Sequence, residues 1–262
     1  MFFTLPDWAL LLLILGVLAL ATLLGAIVGS RLRSRGTTLQ EPLGVVHGAV
    51  IGVVGLILAF ALALAVGRYE DRRAAVVGDA NTIGTTYLRA QTLAEPQRTR
   101  ALDLLRSYAG LALDLSHERP GSAHMRRTSE QQSAVQRRLW RLAGLSLAGA
   151  PAATAPRLYV ESLNEMIDQQ TTRLSALNNR IPTAVLVLEV IAAAIGIATL
   201  ALFVAVVGRG NATVAFVGVL LAALLLVTFD LDRPTRGLIN IPTTPLTALQ
   251  ATMAQPPAAA PP

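Results

Sequence analysis

The sequence has no cysteine and no lysine, and only 5% of its 262 residues are aromatic. Without thiols there is no disulfide framework, no thiolate nucleophile and no cysteine-based zinc or iron–sulfur site. Such a chain suits either side of a membrane. Without lysine, all 22 basic residues are arginine, so the basic charge is fixed at any accessible pH. No compact run interleaves arginine with stacking residues, which argues against a nucleic-acid partner despite a pI of about 10.9. Charge is scarce too: 15% of residues are charged against 53% hydrophobic, and a mean hydropathy of +0.54 is too apolar for an ordinary soluble domain. There is no Walker A loop, G-x-G-x-x-G, G-x-S-x-G or H-E-x-x-H. His47, His117 and His124 are not spaced as a metal cluster. The expectation is a non-enzyme with no catalytic residue, cofactor or metal.

What is present is apolar and grouped. Residues 8–29, 43–67, 181–207 and 212–229 are each long and apolar enough to cross a bilayer, which takes about 20 helical residues. The first segment reads as a retained anchor, because residues 1–7 carry no positive charge and the apolar run exceeds that of a signal peptide. An even number of spans puts the N-terminus, the region 68–180 and the C-terminal tail on one side. Arg31, Arg33 and Arg35 in the first loop face an arginine-free N-terminus, which places that loop in the cytoplasm and the central region outside. Arginines flanking the spans on the other side, from Arg68 to Arg236, count the opposite way. The expected layout is all-α: a first transmembrane hairpin (1–67), an extramembrane helical domain (68–180), a second hairpin (181–230) and a tail (231–262) disordered at its Pro/Ala-rich end. The expected setting is a bacterial inner membrane.

Residues 68–180 hold 16 arginines and 11 acids, so this segment carries most of the formal charge of +6. Apolar residues recur there at helical spacing, predicting helices over 69–93, from Pro96 to about 117, over 128–147 and over 156–180. The first continues the second span through Tyr69, Val76, Ile83 and Ala90; the last leads into the third span. An antiparallel pair of long helices closed by two shorter ones follows from this pattern.

Gly44, Gly48 and Gly52 recur every four residues on the second span, with Gly55 near the same face. The stripe suits close helix approach, as an oligomer seam or pore lining, or as contact among one subunit's own spans. Glu189 is the acid well inside a span, functional by default unless it is neutral or locally paired. His47, about one turn into the second span, could titrate near neutral pH or simply be tolerated at the interface. By helix rise, Asp79, Asn81, Asp168 and Arg173 fall at similar heights above the membrane edge, about 12–20 Å. They are expected to share one polar layer, with an Asp79–Arg173 pair fixing helix register. Arg68, Arg72, Arg73, Asp230, Asp232, Arg233 and Arg236 mark the membrane edge. Asp230 and Asp232 have the look of a cation-binding pair, but Arg233 and Arg236 make local neutralisation simpler.

Two stretches carry a family resemblance. Asp79-Ala-Asn81-Thr-Ile-Gly84-Thr-Thr-Tyr87-Leu-Arg89 resembles the EAN-IGT-YLR helix of the bacterial bestrophin-like membrane family, and Asp230-Leu-Asp232-Arg233-Pro234-Thr-Arg236-Gly237-Leu238 resembles its LDRP-RGL exit from the last span. The segment from Asn164 to Pro182 is similar to the family's approach to the third span. Asp79 departs from the family pattern, which more often has glutamate. The resemblance implies kinship with pentameric, anion-conducting channels, although no bestrophin-type pore motif is present to carry residues across. The expectation is a homo-oligomeric ion channel with a small anion as the conducted species and the lipid bilayer as its surroundings. The alternative is a non-conducting scaffold or envelope-stress protein that docks partners on its helical domain.

Overall fold

The computed structural model describes residues 6–33, 36–208, 210–233, 235 and 237–259. Its regular elements among these residues are eight α-helices: α1 (Asp7–Leu32), α2 (Gly36–Ala90), α3 (Gln97–His117), α4 (Ala123–Gly149), α5 (Thr154–Asn178), α6 (Thr183–Val207), α7 (Asn211–Leu231) and α8 (Thr244–Met253). Four helical segments, in α1, α2, α6 and α7, are long and apolar enough to cross a membrane. The chain divides into two compact units, residues 1–68 with 180–239 and residues 69–179 with 240–262. The stretch 231–262 is therefore no separate tail: its first part belongs to the first unit and the rest to the second.

In the first unit α1, α6 and α7 are apolar on every side, as lipid-facing helices are. Leu10, Ile14 and Leu18 of α1 turn inward at four-residue spacing, while Leu12, Leu20, Leu23 and Leu24 lie exposed. The close approach of α1 to α6 occurs at Gly25 and Gly29. A Cβ at Gly25 would overlap the Ala198 carbonyl, and one at Gly29 would meet the Ala205 Cβ at 2.7 Å. Gly196 of α6 receives Val54 and Ile51 of α2, with 3.3 and 3.5 Å left for a Cβ. The α6–α7 turn uses Gly208 (φ +82°) and Gly210 (φ +112°), left-handed conformations that glycine adopts without a side-chain clash.

In the second unit the helices are amphipathic. Buried stripes at three- and four-residue spacing run through Val76, Ala80, Ile83 and Tyr87 on α2, Leu105, Tyr108, Ala112 and Leu115 on α3, Val135, Leu139 and Leu142 on α4, and Tyr159, Leu163 and Met166 on α5. Each fully buried large apolar side chain contributes about 1.5–3 kcal/mol relative to exposure. α4 starts five residues before the expected Thr128, because Ser122 Oγ accepts from Met125 N (3.0 Å) and caps its first turn. α8 has no counterpart among the helices that periodicity predicts. At ten residues it is too short to stand alone, and it holds by burying Leu246 and Met253 in the core of this unit.

Candidate functional site

Gly48, Gly52 and Gly55 face open space: a Cβ on any of them would meet nothing within 4 Å, and one on Gly44 would reach only the Phe203 ring at 3.6 Å. α2 turns Val54, Leu58, Ala61 and Ala65 inward instead. Among the described residues, then, Gly48, Gly52 and Gly55 pack against no other helix of this chain, and Gly44 alone of the stripe touches α6. Close helix packing falls to Gly25 and Gly29, which sequence reasoning missed although Gly25-Ala-Ile-Val-Gly29 is a G-x-x-x-G pattern.

His47 is half-buried; its Nδ1 lies 3.4 Å from Thr199 Oγ1, and its ring stacks on Phe203 at 5.9 Å between centroids. Glu189 is fully buried on α6, with no hydrogen-bond partner for either carboxyl oxygen among the described residues. The buried Thr228 hydroxyl on α7 is the polar group that faces it. That hydroxyl donates to Leu224 O at 3.0 Å.

The charges after α7 serve the backbone. Asp230 Oδ1 accepts from Leu238 N (3.0 Å) and Oδ2 from Ile239 N (2.8 Å). Gly237 sits over this carboxylate at φ +112°, where a Cβ would collide with it. The buried Asp232 accepts from Ile181 N through Oδ1 (3.1 Å). Asp230 and Asp232 thus act as backbone acceptors, and no group of three or more potential metal ligands occurs among the described residues. Arg233 is buried beside them, while Arg236 lies outside the described residues.

The arginines at the end of the second span separate into different environments. Arg72 is fully buried and donates to Ala176 O (3.3 Å, from Nε) and Asn179 O (2.8 Å, from Nη2), the carbonyls that end α5. A guanidinium at a helix C-terminus satisfies orphan carbonyls and the helix dipole together. Arg73 pairs with Glu70 at 3.6 Å on the surface. Arg68 is half-buried and makes no ion pair with a described residue.

Within the second unit, Arg173 Nη1 donates to Asp79 Oδ2, and both side chains are almost completely buried. Arg173 Nη2 also donates to Ala112 O (2.9 Å) and Ser116 Oγ. Burial pushes the Asp79 carboxyl above its usual range, with Arg173 opposing the shift in part. An amide chain is built alongside: Gln136 Nε2 donates to Tyr108 OH (3.1 Å) and Gln170 Oε1 (2.7 Å), and Gln170 Nε2 to Gln132 Oε1 (2.8 Å). Burial pushes the Tyr108 hydroxyl up strongly. This polar layer ties α2, α3, α4 and α5 together.

Asn81 and Asp168 are not in that layer. Both are exposed, and Asp168 accepts from Asn164 on its own helix (3.2 Å). Similar height along a helix is not similar azimuth: Asn81 is about 200° around α2 from Asp79. The layer instead recruits Tyr108, Gln132, Gln136 and Gln170, whose signal was polar side chains on otherwise apolar stripes.

The rest of the Gly84–Arg89 stretch clamps neighbouring helices. Gly84 leaves room for Leu249 of α8, 3.2 Å from where a Cβ would be. Thr86 Oγ1 donates to Ser162 O (2.9 Å), and Arg89 Nη1 to Leu158 O (2.8 Å). Tyr87 OH donates to Met253 O (3.2 Å) and accepts from Arg106 Nη2 (2.8 Å), fixing the end of α8.

A model of the Bestrophin-like domain matches residues 11–246. No match is found among curated proteins. A bacterial bestrophin homologue from Klebsiella pneumoniae is 17% identical, with 90% of this chain and 95% of that chain covered and a TM-score of 0.60. Two single-residue variants of that homologue give TM-scores of 0.63 at 16% identity and 0.62 at 18%, each with 90% of this chain and 96% of the other covered. At these identities the likeness concerns the fold. With nine-tenths of its length matched by the family and its apolar helices of membrane type, the chain belongs to the Bestrophin-like family.

Proposed function

We propose that this protein is a homo-oligomeric ion channel in which four helices span the bilayer, two before and two after the helical domain. The observation that carries the reading is the open glycine face of α2. Gly48, Gly52 and Gly55 remove side chains from a membrane-type helix, yet no described residue uses the space. In lipid, small residues bring helices together or narrow the barrier to a permeant ion. A second copy or a pore on that face gives the stripe its purpose.

Arg68 is the charge that favours an anion as the permeant species. Arg72 is held by the α5 carbonyls and Arg73 by Glu70, whereas Arg68 is half-buried and forms no ion pair with a described residue. Fixed arginine charge repels cations at a pore mouth and raises local anion concentration.

The test is chloride flux from liposomes containing the purified full chain, with the oligomer confirmed by cross-linking through Gly52→Cys, the chain having no other cysteine. Flux that Arg68→Gln reduces and Arg73→Gln leaves unchanged supports an anion channel. An intact oligomer that passes neither chloride nor potassium overturns conduction and leaves the scaffold reading, in which the helical domain serves as a docking surface.

A further inference from the structure

The second unit carries a basic groove that neither its fold nor the proposed conduction uses. It lies between α3 and α4, has a volume of about 520 Å³, and is lined by Arg100, Asp103, Leu104, Ser107, Arg138, Arg141, Leu142 and Leu145. Two matching helix faces build it. The α3 positions 100, 103, 104 and 107 follow i, i+3, i+4, i+7 spacing, and so do 138, 141, 142 and 145 on α4.

Three guanidiniums, Arg100, Arg138 and Arg141, border the groove, and none pairs with an acid among the described residues. The acid in the lining, Asp103, is already engaged by Arg106 at 3.2 Å. Like charges gathered at one groove repel one another, and a bound anion relieves that repulsion. Other arginines of this unit are spent on protein partners, Arg72 on helix-end carbonyls, Arg89 on Leu158 O and Glu161 and Arg173 on Asp79, whereas Arg100, Arg138 and Arg141 are exposed along one groove. This cluster is left with donors and no acceptor.

We propose that the groove binds a phosphate-bearing anion, held by Arg100, Arg138 and Arg141, with the Ser107 hydroxyl as a further donor. Guanidinium is a planar fork of fixed charge that meets phosphate oxygens in pairs, a geometry that a single ammonium cannot supply. The volume lies in the range of small-ligand pockets. Leu104, Leu142 and Leu145 give it an apolar floor, so an organic phosphate, with a carbon skeleton beside its charge, fits better than a bare halide. A soluble phosphate ester and an anionic lipid headgroup share this chemistry.

Calorimetric titration of the detergent-solubilised full chain separates these sources, with inorganic pyrophosphate as one probe and short-chain dihexanoyl phosphatidic acid as the other. Saturable binding of either probe is expected, weakening as salt is raised through screening. Arg138→Ala and Arg141→Ala should each weaken binding about tenfold, and Arg141→Lys should restore only part of it. Arg137→Ala removes the same charge from the same helix without touching the groove, so it should leave binding almost unchanged. Preference for phosphatidic acid assigns the site to a lipid headgroup, and preference for pyrophosphate to a soluble phosphate. Absence of binding with both probes, or equal loss in Arg137→Ala and Arg141→Ala with helix content intact, overturns the proposal.

Discussion

Breaking the Asp79–Arg173 pair from one side should cost more than removing it from both. Arg173 is 1% exposed and Asp79 0%, so neither charge can turn to water when its partner is lost. Arg173→Met leaves a carboxylate with its Oδ1 already unpartnered among the described residues, which must then take up a proton or stay charged in the core. Asp79→Leu leaves a guanidinium with only Ala112 O and the Ser116 hydroxyl as acceptors among the described residues. Losing one member of a buried pair costs about 3–5 kcal/mol, whereas replacing both by apolar side chains of similar volume is often near neutral. The double variant should therefore fall within about 1–2 kcal/mol of the wild type, well above the sum of the singles. Equilibrium unfolding of the full chain in mild detergent, followed by far-UV circular dichroism, measures all four corners of the cycle. Additive single variants, with a coupling below about 0.5 kcal/mol, would refute the layer as a cooperative unit.

The same pair has a pH signature. Because burial raises the Asp79 carboxyl above its unfolded value, its contribution to stability is fully present below the unfolded value and is lost as pH rises through the folded one. Wild type minus Asp79→Asn should thus decline with rising pH above about 4, and a difference that grows instead would show the Arg173 attraction to dominate. In the first unit, Gly25→Ala should destabilise by about 1–3 kcal/mol through overpacking on the Ala198 carbonyl, while Gly48→Ala should stabilise the helix by about 0.5–1 kcal/mol and shift the proposed oligomer in a cross-linking assay. Equal effects on unfolding would contradict the assignment of the two faces. Gly237→Ala should cost about 1–3 kcal/mol, since φ +112° and the Asp230 carboxylate both reject a side chain; unchanged thermal unfolding would count against it. Tyr87→Phe removes the hydroxyl between Arg106 and Met253 O, at about 0.5–1.5 kcal/mol, and should speed proteolytic loss of the C-terminal helix.

Periodicity made most of the fold legible. The four apolar segments and the four helices of the central region appear close to their expected places, because long stripes leave little freedom in how a helix buries itself. α8 was illegible for the complementary reason: a ten-residue helix defined by Leu246 and Met253 has no stripe of its own and depends on Gly84 and Tyr87 to receive it. In the site, Asp79 and Arg173 could be paired from helix rise, but rise alone also admitted Asn81 and Asp168, which azimuth places on the surface. The glycines show a similar division. Spacing marks Gly25 and Gly29 as well as Gly48 and Gly52 as small-residue faces, but only coordinates show which face is already filled.

That division bears on how the chain separates structure from function. Charged and polar groups that a sequence reading treats as candidates are mostly spent on the backbone: Asp230 and Asp232 on the N–H groups of Leu238, Ile239 and Ile181, Arg72 on the end of α5, Tyr87 and Arg106 on the end of α8. Each such bond satisfies a polar group that would otherwise cost about 1–3 kcal/mol when buried, so selection for folding alone accounts for it. What remains after this subtraction is small: the open face of α2 with Arg68, the buried carboxyl of Glu189, and the arginine groove of α3 and α4. A helix-interior glycine that packs against no described residue costs about 0.5–1 kcal/mol relative to alanine, and like-charged arginines gathered at one groove repel one another. The proposed second copy, permeant ion and bound phosphate are the partners that would satisfy these groups from outside the chain.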